Sequence, residues 1–374
     1  MDRAKRVDNL RQIMKEKNLD AAVIFNFENQ FYFSGLKAIT YSRPIIMVVE
    51  QKKESLIIPS LEEKHAGEKT DAALHIYHEV EGRGSTDYHA LFDEVMDGIE
   101  GDKVGIEFGA LPAELASSIE EKDHDLIDIQ GDIVRMRSIK SDEEIEMIKE
   151  SGKLVAGALK HTLEQSEAGK SELEIDYHGN QYLFEEISKN NTDSTLDYFV
   201  MSPSGIERTN MPHVFSNTRK LETGDVIIHS RQVGLNGYRA ECERTYFIGG
   251  PTEEQEKAFN VMLEAHLAAL DFIKAGVTAK AVNQAALDVI KEAGYDAYVS
   301  HRTGHGIGIG QHEEPSLRFD NDLVLEAGMV FCVEPGIYIP GVGGFRHSDT
   351  VVLTEEGAEI ITEYPRDLES MIIK

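Results

Sequence analysis

Glu241 and Glu243, in the run AECERT, stand two residues apart in a strand-like segment, so both side chains leave the same face. Two carboxylates that close hinder each other's ionisation unless a cation lies between them. A solvated strand carries such a pair harmlessly as well, so the pair takes its meaning from its surroundings. Those surroundings are His213 in NMPHVFSNTRKLETGD, His305 in GHGIGIG, His312 in GQHEEP and Glu334 in VEPGIYIPG. A lone histidine more often serves structure, but its near-neutral pKa also suits a group that takes a proton and later returns it. Gly304, Gly306, Gly308 and Gly310 alternate with His305, Ile307 and Ile309. A phosphate-cradling loop would need a strand–loop–helix context that is missing. A strand with one face stripped to glycine instead lets another backbone or a substrate approach closely.

The elements that must carry these residues divide the chain in two. A chain of 374 residues with 41% hydrophobic content is long for one domain and comfortable for two. Residues 1–20 read as a helix. Short apolar runs at 21–25, 44–50, 55–59 and 103–109 read as strands, giving an α/β N-terminal domain over 1–133. The second domain, 134–374, opens with Ser141 and Glu144 at capping-box spacing. Ile145, Ile148, Val155 and Leu159 then keep one helical face apolar. Strands are expected at 224–228, 237–248, 329–339 and 350–354, with helices at about 252–274 and 278–293.

The net charge of −29 repels phosphate and so excludes nucleic acid and anionic membranes as partners. Solubility is its plainest meaning, and salt adaptation a weaker one. The first twenty residues lack the apolar stretch of a signal peptide, and no run of about 18 apolar residues is present to span a membrane. Two cysteines, Cys242 and Cys332, form no disulfide framework, which implies a reduced cytoplasmic compartment.

Taken together, HRTGHGIGIGQHEEP (301–315), VEPGIYIPG (333–341) and GGFRHSDTVV (343–352) resemble the pita-bread hydrolases: prolidase, aminopeptidase P, methionine aminopeptidase and creatinase. The resemblance runs over nearly the whole chain. It implies a creatinase-like α/β N-terminal domain followed by an α+β pita-bread domain. Metallopeptidases of this kind bind two metal ions with two Asp, one His and two Glu. Here His305 and Glu334 match, and Glu241 stands at the second Asp position. Ser230 and Ser348 occupy the first Asp and last Glu positions, and a serine hydroxyl is a poor ligand for Mn, Fe, Co or Zn.

The ERT tripeptide at 243–245 is similar to that of creatinase, where the Glu contacts the substrate guanidinium. The resemblance therefore implies a metal-independent hydrolase of a C–N bond in a small carboxylate-bearing guanidino, amidine or amide substrate. In it His213 is base and acid, with Glu243, Glu334 and His305 also catalytic. Arg43 and Arg318 would clamp the carboxylate, and His312, Ser230, Gln232 and Ser348 would line the pocket. No cofactor is expected on this reading, and a homodimer is. One alternative is an Xaa-Pro dipeptidase or aminopeptidase P-like enzyme with a reduced site, in which Glu241, His305 and Glu334 hold one divalent ion such as Mn or Fe. The other is a non-catalytic pita-bread protein.

Overall fold

The computed structural model describes residues 3–190 and 193–374. Two compact units emerge, ending and beginning at Met136 and Arg137. In the first, the expected opening helix runs Arg3–Lys17, with residues 1 and 2 outside the described part. Six strands form one mixed sheet: β1 (Ala21–Ile24), β2 (Ile46–Glu50), β3 (Glu54–Pro59), β4 (Ala73–Tyr77), β5 (Lys103–Ile106) and β6 (Asp125–Asp128). Their order is β4-β3-β2-β1-β5-β6. Ala21, Val23, Ile46, Val48 and Ile57 pack with Phe92, Leu115 and Ile119 from the covering helices into a solid core.

The second unit is a nine-stranded, mostly antiparallel sheet with long helices. Its strands are β7 (Leu196–Met201), β8 (Val226–Leu235), β9 (Tyr238–Ile248), β10 (Gly304–Gly306), β11 (Glu313–Leu317) and β12 (Val330–Val333). A separate hairpin of β13 (Gly336–Ile339) and β14 (Gly343–Arg346) precedes β15 (Ser348–Leu353), β16 (Ala358–Ile360) and β17 (Ile372–Ile373). The main path is β11-β10-β12-β15-β9-β8-β7. The helix Asp142–Glu164 begins with the expected Ser141–Glu144 capping box, and Ile148, Val155 and Leu159 are buried on its inner face.

Three departures from the sequence reading matter for the site. The strand expected at 224–228 is β8, which continues through His229, Ser230, Arg231 and Gln232, all buried. These polar residues survive inside because each finds a polar partner; Arg231 donates to Asn180 and to the carbonyl of Asp176. The strand expected at 329–339 is broken at Glu334-Pro335, since proline has no N–H to continue the ladder. The glycine-rich run is a strand only over Gly304–Gly306, where a Cβ on Gly304 would collide with the Cys332 carbonyl. Glycine there serves close approach of backbones, as read from the sequence.

Between β8 and β9, Asn236 and Gly237 both have positive φ, 51° and 91°. That is the two-residue turn that Asn-Gly favours, and it pins the register of the hairpin. Ser230 thereby faces Glu243, and Gln232 faces Glu241. No helix among the described residues is long and apolar enough to cross a membrane.

Candidate functional site

Sheet register assembles the site as two neighbouring rows on one face. In the first row Gln232 pairs with Glu241 across β8 and β9, and Thr350, Cys332 and His305 continue it across β15, β12 and β10. Thr350 joins the row by hydrogen bonds to both the N–H and the carbonyl of Glu241. In the second row Ser230, Glu243 and Ser348 pair across β8, β9 and β15. Glu334, two residues beyond Cys332, projects toward this second row.

Each acid has a different set of partners. Glu241 accepts from Gln232 Nε2 at 2.5 Å and from Ser348 Oγ at 2.7 Å. Glu243 is held by the fork of Arg346, with Nη2 at 2.9 Å from Oε1, and also accepts from Ser230. Arg346 Nη1 donates to Tyr338 Oη at 2.9 Å. Tyr338 in turn lies 2.8 Å from His301 Nε2, whose Nδ1 faces the Arg302 carbonyl at 2.7 Å. A carbonyl only accepts, so Nδ1 carries the His301 proton and the relay runs one way, from Arg346 to Tyr338 to His301. Glu334 is held less closely, with Oε2 3.9 Å from Arg346 Nε. Its Oε1 lies 3.5 Å from His305 Nε2.

His305 Nδ1 is 2.9 Å from the Gly306 carbonyl, so it too carries the proton. Nε2 is then a bare lone pair, fully buried and without a hydrogen-bond partner. A lone pair facing a carboxyl oxygen is repulsive unless a proton or a cation lies between. The wider balance points the same way. Glu241, Glu243 and Glu334 bring three carboxyl groups together beside the guanidinium of Arg346, with that of Arg302 also acting on Glu334. Donor atoms of the three acids lie within 4.8 Å of one another. Burial and the neighbouring Glu241 and Glu243 push the Glu334 carboxyl well above the usual range. Burial likewise raises Glu243, against the pull of Arg346. Burial raises Glu241 as well, but His305 and the bonds from Gln232 and Ser348 bring it below the usual value. A single divalent cation would relieve the repulsion among these carboxyl groups.

The histidines are neutral in the range where imidazole binds metal. Burial lowers His305 and His213, and lowers His312 and His301 to about 4. His312 stacks on His305 with ring centroids 3.8 Å apart.

Two adjoining cavities share His213, His312, Glu334 and Arg346. The inner one, about 260 Å³, holds Glu241, Glu243, Ser230 and Gln232. The outer one, about 570 Å³, adds Arg302, Arg318 and Phe319. The sequence-predicted residues on this unit thus gather at one place, with Ser348 joining through Glu241. Arg318 lines the outer cavity, but its charge is offset by Asp320 at 2.9 Å. Arg43 lies on the N-terminal unit and is paired with Glu79 at 2.8 Å. Sequence reasoning missed Arg346, Tyr338, His301, Arg302 and Cys332. Arg346 and Cys332 each precede a named site position by two residues on a strand, and that spacing was the available signal.

A model of metallopeptidase family M24 matches residues 146–355, and one of the creatinase/prolidase N-terminal domain matches residues 6–139. The chain belongs to metallopeptidase family M24. It is 31% identical to an Xaa-Pro dipeptidase of Pyrococcus furiosus over 97% of this chain and 99% of that one. A solved Xaa-Pro dipeptidase from Bacillus anthracis superposes with a TM-score of 0.85 at 30% identity, covering 99% and 100% of the two chains. The prolidase of Pyrococcus horikoshii gives 0.86 at 27% identity, covering 97% and 99%. The two-domain fold expected from sequence is therefore present.

The metal-independent creatinase-like reading is overturned, and with it the expectation of no cofactor. The family is one of metallopeptidases, the relatives named above are Xaa-Pro dipeptidases and a prolidase, and possible metal donors gather beside an unpartnered imidazole nitrogen. The error came from giving the two serines and Glu243 more weight than the surviving donors. The residues fit one ion and not a second. Ser348 and Ser230 spend their hydroxyls on Glu241 and Glu243, and Glu243 is taken up by Arg346.

Glu313 holds the loop that presents His312. It is buried and paired with Arg137 and with Lys140 at 3.3 Å, and it accepts from the Gly310 N–H at 2.7 Å. Burial opposes its ionisation, but Lys140 and Arg137 prevail and lower it to about 2. A depressed carboxyl stabilises the fold above its unfolded value of about 4.3, and that stability is lost as pH falls toward the folded value. Glu313→Gln should thus melt well below wild type at pH 6, with the gap narrowing at pH 3. Melting curves with a constant gap over that range would refute this role.

Proposed function

We propose that this chain is a dipeptidase that hydrolyses Xaa-Pro substrates with one divalent ion held by Glu241, His305 and Glu334. The observation that carries the reading is the bare, buried Nε2 of His305 facing Glu334 in a pocket where three carboxyl groups crowd together. A bound ion of this type polarises the scissile carbonyl and acidifies water.

The chain's own groups supply the rest. His213 borders both cavities, is neutral, and is open enough to exchange protons with solvent. It takes a proton on the nucleophile's side and returns one to the proline nitrogen as the bond breaks. Gln232 Oε1 is buried without a partner beside the inner cavity, and accepts from the substrate's α-ammonium group. Arg302 lines the outer cavity and has no carboxylate within 4.0 Å among the described residues; its Nε is buried and unpartnered. In a chain of net charge −29, such a guanidinium is the place for the dipeptide's C-terminal carboxylate. Family membership supports the hydrolase class, and the free, buried cysteines support the cytoplasm as its compartment.

The test is a panel of Xaa-Pro dipeptides, their C-terminal amides, and creatine, assayed on metal-loaded protein. Rapid cleavage of Xaa-Pro and none of creatine is expected. Arg302→Gln should lower kcat/KM on the free acid by about 30-fold or more, the scale of a lost carboxylate pair, while leaving the amide within a few-fold. Equal losses on acid and amide would remove Arg302 from carboxylate recognition, and inert Xaa-Pro substrates would overturn the dipeptidase reading.

A further inference from the structure

Cys332 is a residue of the first row with a metal-binding side chain for which the proposed reaction has no use. It sits on β12 directly opposite His305 on β10 and opposite Thr350 on β15. Directly opposed residues of antiparallel strands project from the same face with Cβ atoms about 4.5–5.5 Å apart. The thiol is therefore in the floor of the site, between His305 and Glu241. It is fully buried, and it makes a weak contact with Thr350 Oγ1 at 3.7 Å. Donor atoms of Glu241, His305 and Cys332 all lie within 4.8 Å of one another. Bond lengths of about 2.0–2.3 Å confine donors of one ion to about 4.6 Å of each other, so rotamer-scale movement closes the set.

The second observation is the His305 nitrogen itself. Nε2 is buried, unprotonated and without a partner, and it faces the space these donors share. Cys242, by contrast, lies between Glu241 and Glu243 on β9, so its side chain leaves the opposite face and contributes nothing here.

We propose that Cys332 is a further ligand of the ion, placing a thiolate beneath Glu241 and His305. The inference rests on the single-ion reading above. Coordination exchanges the sulfur–hydrogen bond for a metal–sulfur bond, and the thiol proton leaves to water as the ion binds. The consequence is selectivity. Carboxylate and imidazole alone accept Mn(II), whereas an added soft sulfur shifts preference toward Zn(II), Co(II) and Cd(II). The thiolate also lessens the ion's positive charge, which makes its bound water less acidic than an all-oxygen-and-nitrogen site would.

The experiment is optical titration of metal-free, full-length protein with Co(II) and Cd(II). Wild type should take up one Co(II) per chain and develop an intense near-ultraviolet sulfur-to-metal charge-transfer band. Cys242→Ser should keep the band. Cys332→Ser should lose it, still bind one Co(II), and bind Cd(II) at least about tenfold more weakly relative to Mn(II). Should the Cys332 variant fail to fold, metal–sulfur scattering in the X-ray absorption spectrum of the wild-type Cd(II) form decides alone. One Co(II) bound without the band, or without a sulfur shell, overturns the thiolate and leaves the single-ion dipeptidase intact. A sulfur band in a protein inert toward Xaa-Pro substrates supports the ligand and overturns the substrate reading. No Co(II) bound at all overturns both.

Discussion

Chelator treatment should abolish hydrolysis of Xaa-Pro dipeptides, and one equivalent of Mn(II) or Co(II) per chain should restore it. The loss is expected to reach about three orders of magnitude, because a metal contributes several kcal/mol of transition-state stabilisation and each 1.36 kcal/mol is tenfold. His305→Ala should reproduce it with the fold intact. Its side chain makes one local bond, to the neighbouring Gly306 carbonyl, and its Nε2 bonds nothing. Removing it thus costs the fold little and costs the ion its imidazole. Glu334→Gln should behave likewise and be more stable than wild type in the metal-free state. Burial beside Glu241 and Glu243 already opposes its charge, and the neutral amide removes that repulsion. Elemental analysis of the active form should find one ion. Two ions per chain, or activity unchanged by chelation, would defeat the single-ion site.

The second large effect concerns Arg346. Its fork on Glu243 is buried on both sides, with side-chain exposures of 3% and 3%. Breaking such a pair from one end strands the other charge and costs roughly 3–5 kcal/mol. For a unit of this size each kcal/mol moves the melting point by about 2–4 °C, so Arg346→Met should melt about 6–20 °C lower. The deficit should deepen as pH rises. Glu243 without its guanidinium has a raised carboxyl, and such a group destabilises more the further pH climbs above its unfolded value. The double variant Arg346→Met with Glu243→Met should recover most of the loss, since hydrophobic replacements of a whole buried pair are often neutral. A double variant as unstable as the sum of the two singles would show that the pair is not the interaction that matters. Activity should fall in every one of these variants, because Arg346 also sets the Tyr338–His301 relay beside the outer cavity.

Much of the site was legible because strands have a period of two. Glu241 and Glu243 announce a common face, and both lie in β9 as that spacing requires. His213, His305, His312 and Glu334 were legible as types, and they border or floor the same pair of cavities. The misreading came at the level of charge. From sequence, Ser230 and Ser348 look like lost metal ligands, and Glu243 looks like a substrate contact. Only the packed structure pairs Glu243 with Arg346, leaving Glu241 and Glu334 facing an unpartnered imidazole.

By itself the sequence determined the two-domain architecture and the helix started by Ser141 and Glu144. These depend on local rules: capping and periodicity act over a few residues. Tertiary structure alone decided which guanidinium serves which acid. Arg43 is spent on Glu79, Arg318 on Asp320 and Arg346 on Glu243, while Arg302 has no carboxylate partner among the described residues. It also decided that Cys332 faces His305 and Glu241. Partners of this kind lie tens to hundreds of residues apart in the chain, and strand register brings them together. One residue of slip would turn each to the other side of the sheet.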